Sequence, residues 1–135
     1  MPHPTPLVES AAMASVPPPD PTYVPNLPAE AVSKSLSDAQ LENVVYAGQA
    51  HEKLLPDGTR RGYFIGDGTG VGKGRQIAAV ILDNWRRGRK RAVWVSKSSN
   101  LIEDAKRDMT DVGLDPSLIH SLNKVAKSGK PGISL

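Results

Sequence analysis

Lys73 stands near the end of a run of alternating glycines, GDGTGVGKGR at residues 66–75. Glycine at 66, 68, 70, 72 and 74 lets successive backbone N–H groups turn inward on phosphate oxygens. A helix starting at the end of such a loop adds the positive end of its dipole. Lys73 then neutralises the β- and γ-phosphates of a nucleotide. The dinucleotide fingerprint G-x-G-x-x-G fits in no frame. Counted from Gly66, Gly68, Gly70 or Gly72, its sixth position is Val71, Lys73, Arg75 or Ile77. The triphosphate loop G-x-x-x-x-G-K-[ST] fits at Gly72 and Lys73. It meets Asp67 where its first glycine belongs and Gly74 where a hydroxyl usually contacts Mg2+. The candidate nucleotide contacts are therefore Asp67, Gly68, Thr69, Gly70, Val71, Gly72, Lys73, Gly74 and Arg75, with Lys73 the catalytic candidate. Mg2+ is expected only through the nucleotide, and no metal ligand of the chain's own is assigned. The bland alternative is a glycine-rich surface turn that happens to precede a helix.

The elements around the loop follow from periodicity. SDAQ at 37–40 is a capping-box pattern, and it opens a helix expected over 38–53. PDG at 56–58 is turn chemistry, and RRGYFIG at 60–66 reads as a short buried strand. Beyond the loop, Ile77, Val80, Ile81 and Trp85 share one helical face, which predicts a helix over 73–86. AVWVS at 92–96 reads as a second strand. SSN at 98–100 caps a third helix that Gly113 ends. LIHSL at 118–122 suits a third strand or a short helix, and KSGKPG at 127–132 a loop. Alternation of strands and helices predicts an α/β domain with a parallel sheet and flanking helices, the loop lying at the carboxyl end of its first strand.

Composition narrows the class. The chain has 135 residues, room for one small domain. Nine of its 12 prolines fall in residues 1–28, so residues 1–35 are expected to be an extended or disordered arm and 36–135 the folded part. The net charge of +3 divides into −2 for residues 1–36 and +5 for the rest, a mild basic bias that suits nucleic acid without requiring it. Without cysteine there is neither a disulfide nor thiolate-bound zinc. No apolar run reaches the roughly 20 residues of a membrane helix, and no signal pattern opens the chain, so a cytoplasmic location is expected.

From Leu36 to Leu114 the chain resembles the strawberry notch family of superfamily 2 helicase-like ATPases. The resemblance rests on LSDAQLENVVYAGQAHEKLLPDGTRRGYFIGDGTGVGKGRQIAAVILDN and RAVWVSKSSNLIEDAKRDMTDVG. Asp67 and Gly74 depart from the general Walker A loop but match that family's own variant of it. The resemblance implies a RecA-like P-loop domain, here its N-terminal portion, with ATP as cofactor. It implies nucleic acid as partner, and also the rest of an ATPase chain or a second RecA-like domain. It places Gly70, Gly72 and Lys73 on phosphate and Gln40 on adenine, although Gln40 equally fits as the capping partner of Ser37. It sets Ser96, Lys97, Ser98 and Asn100 against a nucleic-acid backbone, where ordinary helix capping explains the same residues.

A Walker B carboxylate pair is missing from residues 97–135, and AVILD at 79–83 lies inside the helix that the loop launches. The chain is thus expected to be the ATP-binding part of a truncated or split enzyme, not catalytic alone. The competing reading is a non-enzymatic interaction or regulatory module that retains the loop. A nucleotide kinase is disfavoured, because it calls for Ser or Thr at Gly74 and an Arg-rich lid. The basic turn Arg86, Arg87, Arg89, Lys90 and Arg91 reads first as a solvated helix end.

Overall fold

The computed structural model describes residues 19–67 and 72–122. Three α-helices carry the fold: α1 (Asp38–His51), α2 (Lys73–Arg86) and α3 (Ile102–Asp111). A π-helical turn, Ala31–Ser35, precedes α1. Short 3-10 turns at Ser99–Leu101 and Pro116–Leu118 flank α3. The capping box forms: Ser37 Oγ accepts from the Gln40 backbone N–H while Gln40 Oε1 accepts from the Ser37 N–H. Gly88 and Gly113 take positive φ just past the ends of α2 and α3, where the chain must turn away from the helix.

The expected parallel sheet does not form among the described residues. Among the described residues β-pairing is limited to isolated bridges, such as Leu54 with Arg60 across the PDG turn. The segments 60–66 and 92–96 have the side chains of strands but no ladder, and a ladder is what makes a strand. Several of their apolar side chains face outward: Phe64 is 73 % exposed, Val93 67 % and Val95 87 %. The α/β, RecA-like expectation is corrected accordingly to a helical arrangement. At 118–122 no strand forms either, Leu118 only closing the 3-10 turn Pro116–Leu118, and the loop expected at 127–132 lies outside the described residues.

The core lies where α1 and α3 meet α2. Ala78 and Ala79 are fully buried and let the neighbouring helices approach closely, with Leu36, Val44, Leu82, Met109, Val112 and Leu114 filling the space around them. Trp85 and Trp94 pack against the same cluster. Residues 19–28 carry no regular secondary structure, yet they are fastened. Tyr23 OH donates to Asp83 Oδ2, and Asn26 N–H donates to Asp83 Oδ1 at 2.6 Å. Gln49 holds the Thr22 N–H at 2.8 Å and the Asp20 carbonyl at 3.0 Å. Arg87 lies over the Tyr23 ring and donates to Asp83 and to the Val24 carbonyl. This strap ties α1 to the C-terminal half of α2.

Candidate nucleotide site

The loop passes into α2 through Gly72, whose φ of 77° and ψ of 51° are left-handed, a conformation that favours glycine. Lys73 is the first helical residue, and the first turn of α2 holds no acidic residue. The helix therefore brings no carboxylate of its own to the N–H groups there. Gln40 reaches this corner from α1, its Nε2 lying 3.4 Å from the Gly72 carbonyl. A Cβ at Gly72 would overlap that amide, so the position is closed to side chains by space as well as by φ. Gly68, Thr69, Gly70 and Val71 lie outside the described residues.

Asp67, just before the loop, is gripped from two helices. Its Oδ2 accepts from Asn43 Nδ2 at 2.7 Å and from Gln76 Nε2 at 3.2 Å. Tyr63 OH donates to Asn43 Oδ1 at 3.0 Å. Burial raises the pKa of the Tyr63 phenol, and the Asp67 charge adds to the effect. Gln76 is fully buried, and its Oε1 has no hydrogen-bond partner among the described residues. Two entry points of the loop, Asp67 and Gly72, are thus fixed to one face of α1, where Gln40 and Asn43 stand three residues apart.

The remaining candidates divide. Arg75 turns toward α3, pairing with Asp111 and donating to the Ser35 carbonyl at 3.2 Å. Ser96, Lys97, Ser98 and Asn100 are exposed. Ser98 Oγ caps the turn by accepting from the Asn100 N–H, and Ser96 Oγ donates to the Ser98 carbonyl. The segment leaves from beside the loop, because Trp94 Cη2 lies 3.9 Å from where a Cβ of Gly74 would stand. In the basic turn, Arg86, Arg87 and Arg89 are held by Asn26, Asp83 and Asn84.

Sequence patterns alone did not single out Asn43, Tyr63, Gln76 or Asp108. The spacing of Gln40 and Asn43 on one helical face was an available signal. Asp108 is nine-tenths buried on α3, and burial raises its carboxyl pKa. It had no such signal, because only the packing of α3 on α2 brings it to Gly74.

Comparison with known proteins supplies the relationship. The family described as P-loop containing NTP hydrolase pore-1 matches residues 2–132. Protein strawberry notch of Drosophila melanogaster is 50 % identical over 123 residues, 90 % of this chain and 7 % of that protein. Protein FORGETTER 1 of Arabidopsis thaliana is 49 % identical over 128 residues, 94 % of this chain and 10 % of its own length. Protein strawberry notch homolog 2 of Homo sapiens is 51 % identical over 123 residues, 91 % of this chain and 9 % of its own. The chain thus spans a tenth or less of these relatives. No solved structure matches it. No helix among the described residues is long and apolar enough to cross a membrane.

Proposed function

Because the chain belongs to the strawberry notch family of P-loop NTP hydrolases, we propose that it is the ATP-binding part of a helicase-related ATPase that acts on nucleic acid. The observation that carries this reading is the junction at Gly72 and Lys73. A left-handed glycine delivers a lysine to the first position of a helix whose first turn has no acid of its own. In our reading Gly68, Thr69, Gly70, Val71, Gly72 and Gly74 turn their N–H groups on the phosphates, and Lys73 neutralises the β- and γ-oxygens. Asp67 shapes the start of the loop through Asn43 and Gln76. Gln40 links the adenine side of the site to the end of the loop. Arg75 acts by bracing α2 on α3.

Mg2+, bound together with the nucleotide, would supply charge neutralisation on the phosphate oxygens. Hydrolysis takes further groups, drawn from a longer chain or from a second subunit. The exposed segment with Ser96, Lys97, Ser98 and Asn100 is the proposed contact for a nucleic-acid backbone. A reducing compartment such as the cytoplasm suits a chain without cysteine.

The test is equilibrium binding of a fluorescent ADP analogue, with unlabelled ATP as competitor. Saturable binding that ATP displaces is expected, and no binding contradicts the reading. One observation favours a second reading, an interaction module that retains the loop shape: Phe64 and Val95 are 73 % and 87 % exposed, apolar surface suited to a protein partner. That reading predicts no nucleotide binding.

A further inference from the structure

Two surfaces of opposite charge stand at the two ends of α1. Along its first half, Pro21, Asp38, Leu41, Glu42, Val45 and Tyr46 line a cavity of about 330 Å3, toward the small end of the range for ligand pockets. The helical residues among them share one face by their spacing, and Pro21 of the strap completes the lining. Leu41, Val45 and Tyr46 are half-buried, whereas Asp38 and Glu42 are exposed. The floor is thus apolar and the rim acidic. Desolvation, then the negative charges of Glu42 and Asp20, raise the pKa of the Tyr46 phenol, so Asp20 extends that rim.

Past the end of α1 the chain folds into a hairpin. Leu54 bridges Arg60, the Leu55 N–H donates to the Thr59 carbonyl at 2.7 Å, and the Arg61 N–H donates to the Lys53 carbonyl at 3.0 Å. Asp57 Oδ1 closes the turn by accepting from the Thr59 N–H at 2.9 Å and the Thr59 hydroxyl at 2.6 Å. Such a hairpin is preorganised, yet its leucines stay out of the core: Leu54 is 64 % exposed and Leu55 45 %. Lys53, Arg60 and Arg61 stand exposed around them. Arg60 donates to the His51 carbonyl at the base of the hairpin. Burial, then the charges of Arg60 and Arg89, lower the His51 pKa, so Arg89 adds another cation there.

The two surfaces complement each other in polarity and in charge. One offers an apolar floor inside an acidic rim, the other exposed leucines among cations. Within a molecule α1 holds them apart, its 14 residues spanning about 21 Å. Two copies with α1 antiparallel bring each hairpin to the other's cavity, and a two-fold axis makes both contacts at once.

We propose that hairpin 53–61 docks in the cavity formed by residues 38–46 and Pro21 of a second copy of this chain, reciprocally, in a closed two-fold dimer. Each contact is small, so the dimer is weak and salt-sensitive.

Sedimentation equilibrium of the 135-residue chain at rising concentration reads this directly. The wild type should pass from monomer to dimer and no further, with added salt weakening the association. Glu42→Lys and Arg60→Glu each set like charges against each other at both contacts, and each should raise the dissociation constant on the order of tenfold or more. The double variant Glu42→Lys with Arg60→Glu has opposite charges at both contacts again and should recover the dimer. Leu54→Asn changes no charge and should also weaken it. Asp104→Lys, exposed on α3, is the control that keeps it. Circular dichroism checks folding, and if a charge reversal does not fold, Leu54→Asn carries the comparison. A wild type that stays monomeric overturns the proposal and leaves the cavity to a basic segment of another protein. A dimer indifferent to Leu54→Asn and to both reversals, or a double variant no better than the singles, overturns it as well. Growth beyond the dimer overturns the two-fold closure.

Discussion

Gln40 makes two connections with one side chain: its Oε1 accepts from the Ser37 N–H at 2.9 Å, and its Nε2 lies 3.4 Å from the Gly72 carbonyl. Capping α1 and holding the end of the glycine loop are therefore not rival roles. The amide is rigid because the cap fixes it, and the loop end inherits that rigidity. Gly72→Ala is expected to lower stability by roughly 1–2 kcal/mol for the left-handed backbone alone, and more for the overlap with Gln40 Nε2. Gln40→Ala relieves the overlap but not the backbone strain. The double variant should thus be less destabilised than the sum of the two singles, as read by urea denaturation. Strict additivity would show that the two residues do not meet.

The strap predicts a pH dependence. Burial, reinforced by the Asp83 carboxylate, pushes the Tyr23 phenol up to about 12. The folded state then holds the Tyr23 proton more tightly than the unfolded chain, whose phenol titrates near 10. Stability from this group is complete below pH 10 and declines as pH rises from about 10 to about 12, by on the order of 2 kcal/mol. Thermal denaturation followed across that window should show the decline in the wild type and a shallower one in Tyr23→Phe. Equal slopes would mean that the phenol does not sit against Asp83.

Asp83 is 2 % exposed and receives three donors, from Tyr23, Asn26 and Arg87. Asp83→Ala leaves the buried Tyr23 hydroxyl without its acceptor and unties Asn26 and Arg87, and should cost about 1–3 kcal/mol. Limited proteolysis should then cut residues 19–28 first. An unchanged cleavage pattern would place the anchor of the strap elsewhere.

Lys97 tests the proposed nucleic-acid contact. It lies in an exposed segment, so Lys97→Ala should leave the fold intact. Single-strand affinity should fall, and the slope of log affinity against log salt should drop by about 1. An unchanged slope would remove Lys97 from the interface.

What could be read in the sequence was local. The Lys73–Arg86 helix was expected at its observed bounds, because one apolar face and a glycine start define it without help from elsewhere. The Ser37–Gln40 cap was equally plain, both partners lying within one turn. Tyr63, Phe64 and Ile65, or Val93 and Val95, were misread as strands because their side chains are strand-like, whereas a sheet is made by backbone partners that composition does not reveal. The Asp67–Asn43–Gln76 network and the approach of Asp108 to Gly74 join residues far apart in the chain, so only the packing of α1 and α3 on α2 brings them together.

The central claim is that the glycine loop binds nucleotide through Lys73. Isothermal titration of ATP into the wild-type chain and into Lys73→Ala tests it most directly. Lys73 is half-buried at the start of α2, so the change should leave the helical circular dichroism unaltered. Saturable binding by the wild type, lost by on the order of tenfold or more in Lys73→Ala as a charge-assisted phosphate contact is removed, is the predicted result. Equal binding by the two proteins, or none by either, would contradict the account.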